Sequence, residues 1–147
     1  MSYGILLTLH LFAALIFIGT VFFEVLILEG VRKQVPVEAM RVLERAIGRR
    51  ARRLMPWVLL TLFGAGLGML WLRYLPALSA PLASSFGTLL LLKLVLAASV
   101  LGHFFSAMWL FASGRMNGRY LRILHLSLFA HMLGIVLLAK GMFYLSW

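Results

Sequence analysis

Cysteine is absent from the 147-residue chain. Its absence excludes disulfide bridges, thiolate zinc or copper sites, iron–sulfur clusters and covalently attached c-type haem. Any bound metal would have to be held by His, Met, Lys or Glu side chains. Charged residues are also scarce, at 12% of the chain.

The first residues, MSYGILLTLHLF, lack the basic segment and the small-residue cleavage pattern of a secretory signal peptide. We therefore expect the first apolar run to be a retained membrane anchor.

What the chain has in abundance is apolar sequence, with 63% hydrophobic residues and a mean hydropathy of +1.02. Four apolar runs are long enough to cross a bilayer core of about 30 Å as helices. They cover residues 5–28, 54–72, 86–112 and 123–145. The pattern predicts an all-α transmembrane four-helix bundle, with residues 1–147 as a single four-span membrane domain.

The formal net charge of +10 would suggest nucleic acid as the partner of a soluble protein. Here the Lys and Arg residues collect between the first and second runs and between the third and fourth runs. Such clusters are typical of cytoplasmic loops, so we expect no nucleic-acid partner and expect both termini on the outer side.

The first basic loop is itself predicted to be an amphipathic helix that continues into the second span. Pro36 suits a first helical position. Apolar residues recur at helical spacing, opposite a basic face that we expect to rest on anionic lipid headgroups. The apolar residues are Met40, Leu43, Ile47, Ala51 and Leu54, and the basic ones are Arg41, Arg45, Arg49 and Arg52.

Ionisable side chains inside the runs are the first candidates for function, because such groups are costly in hydrocarbon unless they face a partner or a cavity. At about 1.5 Å per residue, His10, Lys93 and Lys140 fall in an outer tier. His103 and His131 fall in an inner tier on antiparallel neighbouring spans.

Two histidines at one level of a helical bundle are a common way to hold b-type haem, so His103 and His131 are predicted as axial ligands. The alternative is that each imidazole belongs to a hydrogen-bond network between helices. Gly64, Gly66 and Gly68 leave open whether the second span makes room for a macrocycle or for a close helix contact.

The run LHLFAALIFIGTVFFEVLIL, with His10 and Gly19, together with Lys93, Leu94 and Leu96 of the third run, resembles the CopD-like membrane proteins. It is also similar to the related HemJ-like proteins, which are haem-associated and linked to protoporphyrinogen IX oxidation. The resemblance implies a four-helix protein of the bacterial inner membrane in which His10 and Lys93 are the functional positions. His103 and His131 lie outside the shared pattern.

Together these features predict a membrane protein that binds one or two haem b groups and takes part in redox chemistry or electron transfer, with a quinone or a porphyrin as partner. His10, His103 and His131 are the candidate iron ligands, and Lys93 and Lys140 are candidate partners of haem propionates. Copper transport is one alternative, and a structural subunit of a larger complex is another. Homo-oligomers are left open.

Overall fold

The computed structural model describes residues 2–146, and these are helical apart from short turns. Four helices in this part of the chain are long and apolar enough to span a membrane, which confirms the predicted all-α class and the four spans. The chain divides into two compact units, one ending at Tyr74 and the other beginning at Leu75.

The first unit is a helical hairpin. Helix α1 (Ser2–Phe22) continues through a wide π-helical turn (Phe23–Leu28) into the short α2 (Glu29–Arg32). After a turn, α3 (Val37–Met69) runs back along α1 and ends in a second π-helical segment (Leu70–Tyr74).

The predicted amphipathic helix and the second span are one continuous element, α3. Pro36 precedes its first residue instead of occupying it, because an extended backbone at Pro36, with ψ of 142°, leads the chain into the helix. Pro56, which lacks a backbone N–H, lies inside α3 just before the apolar part begins. Arg32 holds α2 to α3 through Glu44, with Nε donating at 2.9 Å, and also contacts Glu29.

The second unit begins with two 3₁₀ turns (Leu75–Leu78 and Pro81–Ala83) and contains the antiparallel helices α4 (Ser85–Ala112) and α5 (Gly118–Gly141). Side-chain oxygens of Ser84 and Asn117 accept backbone N–H bonds at the starts of α4 and α5. Between them, Gly114 adopts a positive φ of 67°, which glycine permits without strain.

The loop that precedes α4 packs closely against its first turn at Gly87. A Cβ atom at this position would lie 2.7 Å from the carbonyl oxygen of Pro81 and 3.0 Å from that of Ala77. Both neighbours are backbone atoms, so they cannot move aside as a flexible side chain would. The loop and the first turn of α4 therefore depend on glycine here.

We expect Gly87→Ala to lower the free energy of unfolding by about 1–3 kcal/mol, because the added methyl group collides with backbone. Gly102→Ala is the matched control on the same helix, since nothing lies within 4 Å of a Cβ there. Thermal unfolding in detergent measures both variants, and equal stability of the two would contradict this packing.

Candidate functional site

His10 lies on α1, half-buried against α3. Its Nδ1 is 2.8 Å from the backbone carbonyl oxygen of Leu62. A carbonyl oxygen can only accept, so Nδ1 must carry the proton and donate it. In the neutral ring this places the lone pair on Nε2.

The contact depends on Gly66, which follows Leu62 by one helical turn. In an α-helix a side chain covers the turn before its own Cα, so a larger residue at position 66 would lie over the Leu62 carbonyl. A Cβ at Gly66 would approach Nδ1 and Cε1 of His10 to 3.2 Å. A Cβ at Gly68 would lie 3.0 Å from the side chain of Leu6, which precedes His10 by one turn of α1. Gly66 and Gly68 therefore serve close contact between α1 and α3.

A polar cluster formed by Tyr3, Arg73 and Tyr74 lies at the end of the same unit where α1 begins. The hydroxyl oxygens of Tyr3 and Tyr74 are 2.8 Å apart, and the Arg73 guanidinium lies 5.2 Å from the centre of the Tyr3 ring. Tyr3 precedes His10 by two turns, about 10 Å along the helix axis. Sequence reasoning missed this cluster. The signal in the sequence was that Arg73 is the only basic residue between the second and third apolar runs.

In the second unit, His103 of α4 and His131 of α5 lie side by side, with ring centroids 5.0 Å apart. His103 Nδ1 lies 2.7 Å from the Ser99 carbonyl oxygen, and His131 Nδ1 lies 2.7 Å from that of Ser127. Each ring therefore donates to the carbonyl four residues earlier on its own helix.

The Nε2 atoms complete a reciprocal arrangement across the two helices. Ser127 Oγ is 2.8 Å from Nε2 of His103, and Ser99 Oγ is 2.9 Å from Nε2 of His131. Because Nδ1 holds the ring proton, each Nε2 accepts and each serine hydroxyl donates. We call these four residues the Ser–His lock. It is a closed ring of four hydrogen bonds that satisfies both nitrogens of both imidazoles.

Haem does not fit between these two rings as they are placed. Axial ligation would require both Nε2 atoms to face one iron from opposite sides of a porphyrin. Instead, the Nε2 of His103 points to α5 and that of His131 points to α4, and each is already hydrogen-bonded. The arrangement agrees with the alternative of a network between helices and not with the expected axial pair.

The sequence itself contains a signal for the Ser–His lock. Serine stands four residues before each histidine, in SVLGH on the third span and SLFAH on the fourth. On antiparallel helices, two such pairs bring each serine level with the opposite histidine. A single serine four residues before a histidine would not have been enough to predict a hydrogen-bond network between two helices.

The two lysines have different surroundings. Lys93 is half-buried on α4, ten residues before His103 and so about 15 Å from it along the helix axis. Lys140 is exposed near the end of α5, where its Nζ lies 5.2 Å from the centre of the Tyr144 ring. Neither lysine joins the Ser–His lock.

The copper alternative requires several donor side chains at one place. Among residues 2–146, no group of three or more His, Cys, Asp or Glu side chains could hold a metal ion. Several methionines are buried in the helix contacts, among them Met40, Met69, Met132 and Met142. They fill core space, as expected for most methionines.

Comparison with known proteins gives no match to a family model, to a curated protein or to a solved structure. The class defined by the structure is a multi-pass membrane protein with four apolar helices in contact with lipid. The resemblance to CopD-like and HemJ-like proteins stays a prediction.

We predict that Ser99→Ala and Ser127→Ala each lower the free energy of unfolding by about 0.5–1.5 kcal/mol, because each leaves an imidazole nitrogen without its donor. The two losses should be similar, since the lock is reciprocal. Ser113→Ala is the control, because the Ser113 hydroxyl bonds only to Leu110 of its own helix. Thermal unfolding in detergent tests this, and a loss in only one of the two serine variants would contradict the lock.

Proposed function

We propose that the protein binds haem b through His10 and takes part in redox chemistry or electron transfer in the bacterial inner membrane. The observation that carries the proposal is the hydrogen bond from His10 Nδ1 to the Leu62 carbonyl. Histidines that bind metals commonly donate their second ring N–H to a backbone carbonyl or a carboxylate. Such a bond fixes the tautomer, orients the ring and makes the ligating nitrogen more basic.

His10 differs from the other two candidates because its Nδ1 bonds to a carbonyl of a neighbouring helix, whereas His103 and His131 bond to carbonyls of their own helices. In the Ser–His lock both Nε2 lone pairs accept hydroxyl protons, so ligation there would first break the lock. At His10 the ring lies against the backbone of α3, where the absence of a side chain at Gly66 leaves room for it. The resemblance stated above points to the same residue.

A second line of support for the proposal is the cluster formed by Tyr3, Arg73 and Tyr74. Haem carries two propionate groups, and guanidinium groups bind carboxylates through strong, charge-assisted hydrogen bonds. Arg73 is the basic residue at the outer end of the unit that contains His10. We therefore assign it, ahead of Lys93 and Lys140, as the propionate partner of a haem at His10.

When bound, haem would supply one-electron redox chemistry. The chain itself contributes the fixed imidazole of His10 and a low-dielectric surround from α1 and α3. A membrane quinone or a porphyrin is the proposed electron partner.

Both termini are proposed to lie in the periplasm, since the Arg-rich first half of α3 and the turn after α4 would then face the cytoplasm.

The direct test is a visible absorption spectrum of the detergent-purified protein after expression with haem precursors. We expect a Soret band, with sharper bands after reduction by dithionite. His10→Ala should remove it, because the iron loses its protein ligand. His103→Ala and His131→Ala should keep the band while lowering thermal stability. A colourless wild-type protein, or loss of the band in His103→Ala but not in His10→Ala, would contradict the proposal.

A smaller change tests whether the position of the His10 imidazole against α3 matters for haem binding. Gly66→Ala should weaken haem binding by about 10- to 100-fold, because the methyl group displaces the imidazole from its orienting carbonyl. Gly64→Ala adds the same methyl group on the same helix, where nothing lies within 4 Å. Haem titration of the apoprotein compares the two, and equal affinities would argue against the role of the Leu62 bond.

A further inference from the structure

Charge is unevenly distributed along the first half of α3. The carboxylates, Glu38 and Glu44, are both in its first two turns, where Glu38 pairs with Arg41 and Glu44 with Arg32. Beyond Glu44 the helix has no acidic residue. The last basic turns before the apolar part of α3 therefore carry a concentrated positive charge.

Three arginines of these turns face the same concavity. Arg49, Arg50 and Arg53, together with Ala46, line a space of about 200 Å³ on the surface of α3. All three arginines are exposed, and within the described chain no carboxylate forms an ion pair with any of them. We call this feature the arginine pocket.

The same face of α3 continues as an apolar stripe. Trp57, Leu60, Leu67 and Trp71 follow at helical spacing and are between 62% and 74% exposed. Gly64 lies between them, with nothing within 4 Å of a Cβ position. Tryptophans at the two ends of an apolar stripe, here about 21 Å apart, are typical of helices that face lipid at both interfaces.

We propose that the arginine pocket binds the phosphate headgroup of an anionic phospholipid whose acyl chains lie along the stripe from Trp57 to Trp71. Guanidinium groups match phosphate oxygens in bidentate geometry, and three of them surround one small space. A soluble phosphate would bind the same three arginines, but it has no acyl chains to contact the apolar stripe. The continuity of pocket and stripe favours the lipid.

The test uses the full-length protein in vesicles of phosphatidylcholine and phosphatidylglycerol mixed at about four to one, with one of the two lipids brominated on an acyl chain near the headgroup. Bromine quenches nearby tryptophan, and the difference from Trp57→Phe isolates the signal of Trp57. Per bromine, we expect brominated phosphatidylglycerol to quench Trp57 about threefold more than brominated phosphatidylcholine.

The triple variant Arg49→Gln, Arg50→Gln, Arg53→Gln should lose this preference. The matched control, Arg41→Gln, Arg45→Gln, Arg52→Gln, removes the same charge from an adjacent face of the helix, outside the arginine pocket, and should keep most of the preference. Equal losses in both variants, or no preference in the wild type, would overturn the site. Should the first triple variant fail to insert, Arg50→Gln alone must lower the preference, and an unchanged preference would overturn the proposal.

A competition arm separates the lipid from a soluble anion. Inorganic phosphate, added at constant ionic strength, should leave the phosphatidylglycerol preference unchanged because it lacks acyl chains. Displacement of the lipid by millimolar phosphate would overturn the assignment in favour of a soluble ligand.

Discussion

A polar group inside the hydrocarbon core must find its partner within the protein, since water is not available there. The chain meets this constraint by aiming imidazoles at backbone carbonyls. His10, His103 and His131 each place Nδ1 within 2.8 Å of a carbonyl oxygen. The constraint fixes one tautomer in all three rings, but the carbonyl belongs to the same helix for His103 and His131 and to the neighbouring helix for His10.

The three histidines also differ in how they connect helices. In the Ser–His lock, hydroxyl groups from the opposite helix bond to Nε2, so the two imidazoles join α4 to α5. At His10 the donor bond reaches across to α3, and the glycine at position 66 keeps the ring close to the backbone. The Ser–His lock satisfies the hydrogen-bonding groups of two imidazoles between α4 and α5. The His10 bond resembles the support that proteins give to a metal-ligating histidine.

The spans, the helical class and the amphipathic start of α3 could all be predicted, because they follow from the length of apolar runs and from helical periodicity. The level of His103 with His131 also followed from depth. Which way each ring points did not, since it depends on serines four residues earlier and on side-chain geometry that spacing leaves open. Likewise, the sequence placed Gly66 in a glycine-rich run without indicating that His10 would rest against it.

The proposed iron site depends most directly on the proton at Nδ1 of His10. ¹⁵N NMR of the haem-free protein, labelled at histidine and assigned with single-histidine variants, measures the tautomer of each neutral ring. We predict that His10, His103 and His131 all carry the proton on Nδ1 and have an unprotonated Nε2. A His10 ring protonated on Nε2 would mean that the Leu62 bond is absent, and it would contradict the proposed iron ligand.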